Sequence, residues 1–189
     1  MIVRITAVLL TLTLVGCSTV LTATRETPLE SNHGTRTLGS SIDDQLIETR
    51  ASVNIAKAHP ELESEARFSV TSYNGVVLLV GQVPRAELVE LAGDTAKRVQ
   101  RVKVVHNELT VGSRLSLLAR NNDALITSST KTRMLADTAI PGRRIKVTTE
   151  AGAVYLMGLV TRAEADAAVA AAQQVGGVQR IVKLFEYID

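Results

Sequence analysis

The chain has 189 residues, enough for one domain or two small ones, with a net charge of +2; 46% of it is hydrophobic but only 3% aromatic, so its core must be made of Val, Leu, Ile and Ala. A single cysteine excludes an intramolecular disulfide. His33, His59 and His106 show no metal-ligand spacing, and no Gly-rich phosphate loop or G-x-S-x-G elbow is present. The sequence therefore nominates no catalytic residue, no metal ligand and no cofactor, and the chain reads as a non-enzyme.

In chain order, Arg4 precedes an apolar run from Ile5 to Val15. That run is long enough for a signal-peptide core and too short, against a requirement of ~20 residues, to span a bilayer as a helix. It ends in Leu14-Val15-Gly16-Cys17, which resembles the lipobox of bacterial lipoproteins. The resemblance implies removal of residues 1–16 and lipidation of Cys17, with diacylglycerol on its sulfur and an acyl chain on its new amine. Two or more chains anchor stably where one is marginal. Ser18 at the following position favours the outer membrane in such proteins, and export excludes nucleic acid as a partner. Residues 17–41 are predicted to be a flexible tether, because Ser18 to Ser41 hold ten Ser or Thr and little that can be buried. As a coil it would reach roughly 25 to 30 Å.

From Ile42 on, one unit occurs twice. Val77-Leu78-Leu79-Val80-Gly81-Gln82-Val83 returns as Val154-Tyr155-Leu156-Met157-Gly158-Leu159-Val160, and Arg85-Ala86-Glu87 returns as Arg162-Ala163-Glu164. The self-similarity predicts tandem copies at residues 42–112 and 113–189. The first copy opens with a helix from Ile42, capped by Asp43 or Asp44 and stopped by Pro60. Ala66 to Thr71 alternates as a strand, Asn74-Gly75 supplies a tight turn, and the near-continuous apolar run of Val76 to Val83 indicates burial on both faces or a central position in the sheet. A helix from Pro84 and a strand from Val102 to Val111 complete the unit. In the second copy Thr161 and Glu164 fit a capping box, and Val178 to Ile188 is the last strand. Gly81 and Gly158 fall within strands, where a bulge or a close helix explains them.

The αββαβ order, the two glycine-closed hairpins, and the passages Val99-Gln100-Arg101-Val102 and Val175-Gly176-Gly177-Val178 resemble BON domains. With the lipobox and tether, the whole is similar to dual-BON-domain outer-membrane lipoproteins. The resemblance implies an α+β fold in which each copy has a three-stranded mixed sheet and two helices on one face. It also implies a lipid-anchored, periplasm-facing location, recognition of anionic, phosphatidylglycerol-like phospholipid through the second BON domain, and support of outer-membrane integrity. The alternative function is a protein-interaction adaptor for an envelope assembly partner.

Charge and one helix point to where such contact would occur. Residues 42–112 hold eight basic and ten acidic side chains, residues 113–189 ten and seven, so the second copy is the basic one, with Lys131, Arg133, Arg143, Arg144 and Lys146 close together. A basic surface draws anionic lipid by roughly 1 kcal/mol per Lys or Arg. In the helix starting at Asn122, Ile126, Thr130 and Met134 share one side. Leu125, Ser128, Ser129, Thr132 and Leu135 share the other, flanked by Lys131 and Arg133. That second face is predicted either to enter a headgroup layer or to pack on the first copy. Relatives of this kind are expected to carry a tryptophan near the helix start, where this chain has Leu125.

Overall fold

The computed structural model describes residues 37–189. Cys17, the predicted signal peptide and nearly all of the predicted tether lie outside them. Helix α1 (Leu38–Ala58) starts ahead of Ile42 because Thr37 caps it, its Oγ1 accepting the Ser40 N–H at 3.2 Å. Asp43 and Asp44 are thus inside the helix and do not cap it. Pro60 ends α1 as expected, and it also opens a short helix, α2 (Pro60–Ser64), which the apolar spacing does not indicate. His59 caps α2, its Nδ1 accepting the Glu61 N–H at 3.2 Å.

Strands β1 (Arg67–Tyr73) and β2 (Val76–Val83) form an antiparallel hairpin. Helix α3 (Ala86–Lys97) then returns the chain to β3 (Val104–Val111), which pairs parallel with β2. The second copy repeats the plan with α4 (Leu117–Ala136), β4 (Lys146–Glu150), β5 (Ala153–Val160), α5 (Arg162–Gln173) and β6 (Arg180–Tyr187). The sheets have the orders β1-β2-β3 and β4-β5-β6. This is the α+β fold the sequence implies, two mixed three-stranded sheets with helices against each. The capping box of α5 is present, with Glu164 N–H on Thr161 Oγ1 at 3.2 Å and Thr161 N–H on Glu164 Oε2 at 2.8 Å.

Strand alternation explains the apolar run. Val77, Leu79 and Val83 of β2 face Ile47, Ala51 and Ile55 of α1 and Leu88, Ala92 and Ala96 of α3. Val154, Leu156 and Val160 of β5 face the corresponding helices of the second copy in the same way. The alternate residues build a third core between the sheets, in which Leu78 and Val80 meet Tyr155 and Met157. Both central strands are therefore buried on two faces, one under helices and one under the other sheet. Polar contacts rim this core: Gln82 Nε2 to Glu150 Oε1 at 2.7 Å, Lys146 Nζ to Glu48 Oε1 at 2.5 Å and Asn74 Nδ2 to Glu186 Oε1 at 3.0 Å.

Both hairpins turn on two residues of positive φ, Asn74 (53°) with Gly75 (79°) and Ala151 (49°) with Gly152 (74°). That is the turn whose twist matches paired strands. Alanine tolerates the left-handed region less well than asparagine does. Ala151 is exposed, so a longer side chain has room. Ala151→Asn is expected to raise unfolding stability by about 0.5 kcal/mol, read as a higher urea midpoint.

Gly81 and Gly158 are explained by strand backbone and not by a helix. A Cβ on Gly81 would lie 2.2 Å from the Arg67 carbonyl oxygen, and one on Gly158 2.9 Å from that of Arg144.

Candidate functional site

Helix α4 is anchored by its inner side. Ile126, Thr130 and Met134 are buried, as their spacing predicts. Asp123, one turn before them, is also buried and reaches the β4–β5 turn, its Oδ2 accepting the Ala151 N–H and its Oδ1 the Gly152 N–H, both at 2.9 Å. The first copy does the same with Asp44. Its Oδ1 accepts the Ser72 hydroxyl at 2.8 Å and the Gly75 N–H at 2.9 Å, and its Oδ2 accepts the Asn74 N–H at 2.8 Å. Each copy thus pins its first helix to its hairpin with one carboxylate. The sequence hides the pair because the aspartates and the turn glycines repeat at spacings that differ by two residues.

The outer side of α4 is open. Leu125 and Leu135 are 65% and 53% exposed, and Ser128, Ser129 and Thr132 beside them are exposed too. The face therefore does not pack on the first copy. Leu117 and Leu118, 70% and 80% exposed, extend the same stripe. They belong to the helix because Ser116 caps it, its Oγ accepting the Ala119 N–H at 3.2 Å, so α4 starts a turn before Asn122. From Leu118 to Leu135 the stripe runs roughly 25 Å along the helix. Asp123 is the only acidic residue in α4 and is turned inward, so the open face carries no negative charge.

The basic cluster is smaller than the sequence suggests. Lys131 points back into the fold, its Nζ donating to the Gly142 carbonyl at 2.7 Å and the Ile145 carbonyl at 2.5 Å. Burial holds its ammonium below the usual lysine value. Arg144 pairs with Glu164 at 2.6 Å, and Lys146 pairs with Glu48. Arg133 and Arg143 are the exposed ones, and Arg133 Nη1 donates to the neutral Gln174 Oε1 at 3.1 Å. Burial and side-chain pairing are tertiary facts, so only the positions of the charges are legible in the sequence.

A groove of about 560 Å³ lies along the other flank of α4, walled by Arg120, Thr127 and Lys131 and by the edge strands β1 and β4. Thr71 and Thr148 hydroxyls meet there at 3.4 Å, which places the two edges side by side.

Among the described residues no group of three or more His, Cys, Asp or Glu side chains is arranged to hold a metal ion. No described helix is long and apolar enough to cross a membrane. The BON domain family matches residues 43–113 and 122–189. The outer membrane lipoprotein DolP of Haemophilus influenzae is 37% identical over 154 residues, covering 82% of this chain and 79% of that protein. The 21 kDa hemolysin of Actinobacillus pleuropneumoniae is 35% identical over 154 residues, with coverage of 82% and 79%. Osmotically-inducible protein Y of Escherichia coli is 32% identical over 147 residues, covering 76% of this chain and 72% of its own. Both matched segments fall on the two αββαβ units, and the chain belongs to the BON domain family, of which it carries two copies.

Proposed function

We propose that this protein is a non-catalytic lipoprotein of the outer membrane, held through Cys17 and facing the periplasm. Its second BON domain lays the open face of α4 on anionic phospholipid and so supports outer-membrane integrity. The observation that carries this reading is the stripe of Leu117, Leu118, Leu125 and Leu135 on a helix face free of carboxylates. Leucines entering the acyl boundary supply area, and a face without negative charge meets no repulsion from an anionic surface. Ser128, Ser129 and Thr132 between the leucines offer hydroxyls to headgroups, and Arg133 and Arg143 supply the free positive charge. Lys131 is assigned to holding the loop after α4. The lipobox and the Haemophilus relative, an outer membrane lipoprotein by name, support the location.

Co-sedimentation of the chain carrying Cys17→Ser with phosphatidylglycerol vesicles tests the reading. Leu118→Ser combined with Leu125→Ser is expected to weaken binding about thirtyfold, since each leucine gives up on the order of 1 kcal/mol of partial burial. Binding should also fall as salt rises, because exposed charges act over only about 8 Å at physiological ionic strength. Equal binding to zwitterionic vesicles, or no loss in the double variant, would overturn it. Lipid-independent crosslinking through the same face to one envelope protein would favour the adaptor role instead.

A further inference from the structure

The groove between α4 and the two edge strands is built from both copies, and it gathers cations that the rest of the fold leaves without carboxylate partners. Arg67 from β1, and Arg120 and Lys131 from α4, line it, and none of the three forms an ion pair among the described residues. The Arg120 Nε is buried with no acceptor among the described residues. An orphaned guanidinium N–H is costly to leave dry, and like charges converging on one groove repel unless an anion sits among them. Two carboxylates, Asp123 and Glu150, also line the groove, so three cations face two anions and one positive charge is left over, and both carboxylates already accept hydrogen bonds. Asp123 accepts the turn N–H groups, and Glu150 accepts the Gln82 amide at 2.7 Å. Lys131 donates to two carbonyls, and an ammonium has three N–H groups. Hydroxyls of Thr127, Ser128 and Thr148 complete the wall.

We propose that this groove binds a phosphodiester, with Arg120 as the principal ligand and Arg67 reaching in from the first copy. The guanidinium fork matches two phosphate oxygens, the Thr148 hydroxyl can accept from Thr71 and donate to a third, and the volume lies in the range of small-molecule sites. Ser128 lines the groove and is also exposed beside Leu125, so the site opens onto the leucine stripe. A headgroup phosphate seated here leaves its acyl chains on the side where the leucines are. The lipid as the source of the phosphate rests on the function proposed above; the anion site itself rests on the groove alone.

The test is an NMR titration of the full chain carrying Cys17→Ser, with water-soluble glycerophosphoglycerol as one probe and phosphatidylglycerol vesicles as the other. Glycerophosphoglycerol is expected to shift amides of residues 120, 127, 128 and 148. Arg120→Gln should weaken that binding about tenfold, the loss of one charge-assisted contact, and Arg120→Lys should weaken it less. Arg98→Gln, an exposed arginine outside the groove, should leave it unchanged. Should Arg120→Gln fail to fold, Arg67→Gln, on an exposed side chain, must show a loss of several-fold. A chain that binds vesicles but shows no groove shifts with glycerophosphoglycerol overturns the groove and leaves the helix-face function standing. Groove shifts in a chain that ignores vesicles support the anion site and make soluble phosphodiesters its source. Shifts that survive both arginine substitutions undiminished overturn the proposal.

Discussion

A chain carrying Gly81→Ala is expected to unfold about 10 °C lower than the parent, a loss of about 3 kcal/mol. Gly81 has φ +131°, a region L side chains rarely adopt, and its absent Cβ would stand 2.2 Å from the Arg67 carbonyl oxygen and 2.7 Å from the Phe68 Cα. Both atoms are backbone of β1, held opposite by the Phe68 to Gly81 pairing, so no side chain can swing away. The matched position supplies an internal control. Gly158 has an ordinary φ and its nearest obstacle is at 2.9 Å, so Gly158→Ala should cost about 1 kcal/mol. Urea unfolding followed by circular dichroism compares the two directly. Equal costs would mean that strand contact is not what requires glycine at residue 81.

Removing the carboxylate that pins α1 should be nearly as damaging. Asp44→Ala takes away the acceptor of the Ser72 hydroxyl and of the Asn74 and Gly75 amides, in a place where Asp44 is only 4% exposed. Hydrogen bonds to a charged group contribute about 1.5 to 3 kcal/mol, and stranded donors add their own desolvation, so a net loss of about 3 kcal/mol is expected. Asp123→Ala removes the acceptor of two amides and should cost about 2 kcal/mol. Hydrogen exchange at the Gly75 amide locates the effect. Its protection should collapse in Asp44→Ala and stay near parental in Asp123→Ala, which touches only the other hairpin.

The parts of this fold that local chemistry specifies are readable in the sequence. Asn74-Gly75 announces its turn, Thr161 and Glu164 their capping box, and the repeated Gly-closed strands their hairpins. The unbroken apolar run of β2 correctly signals burial on two faces. What covers the second face is not readable, because Leu78 meets Tyr155 across a long loop of chain that leaves no periodic trace. Both copies' first helices start earlier than apolar spacing indicates, since Thr37 and Ser116 cap them upstream of the first regularly spaced apolar residues. That early start is what places Arg120, Ala124, Thr127 and Lys131 on one flank at helical spacing, a stripe visible only once the helix begins at Leu117. Of the site residues read from the sequence, Leu125, Ser128, Ser129, Thr132, Arg133 and Leu135 share the outward side. Lys131 departs from them because its ammonium donates to the Gly142 and Ile145 carbonyls, which turns it inward.

The back-to-back sheets also set how far either unit depends on the other. A single unit with this apolar reverse face, taken alone, would have to cover it with a second molecule, and its folding would then follow concentration. Carrying both units on one chain makes that burial intramolecular. Neither half can now drift at Leu78 or Tyr155 unless its sibling drifts in concert.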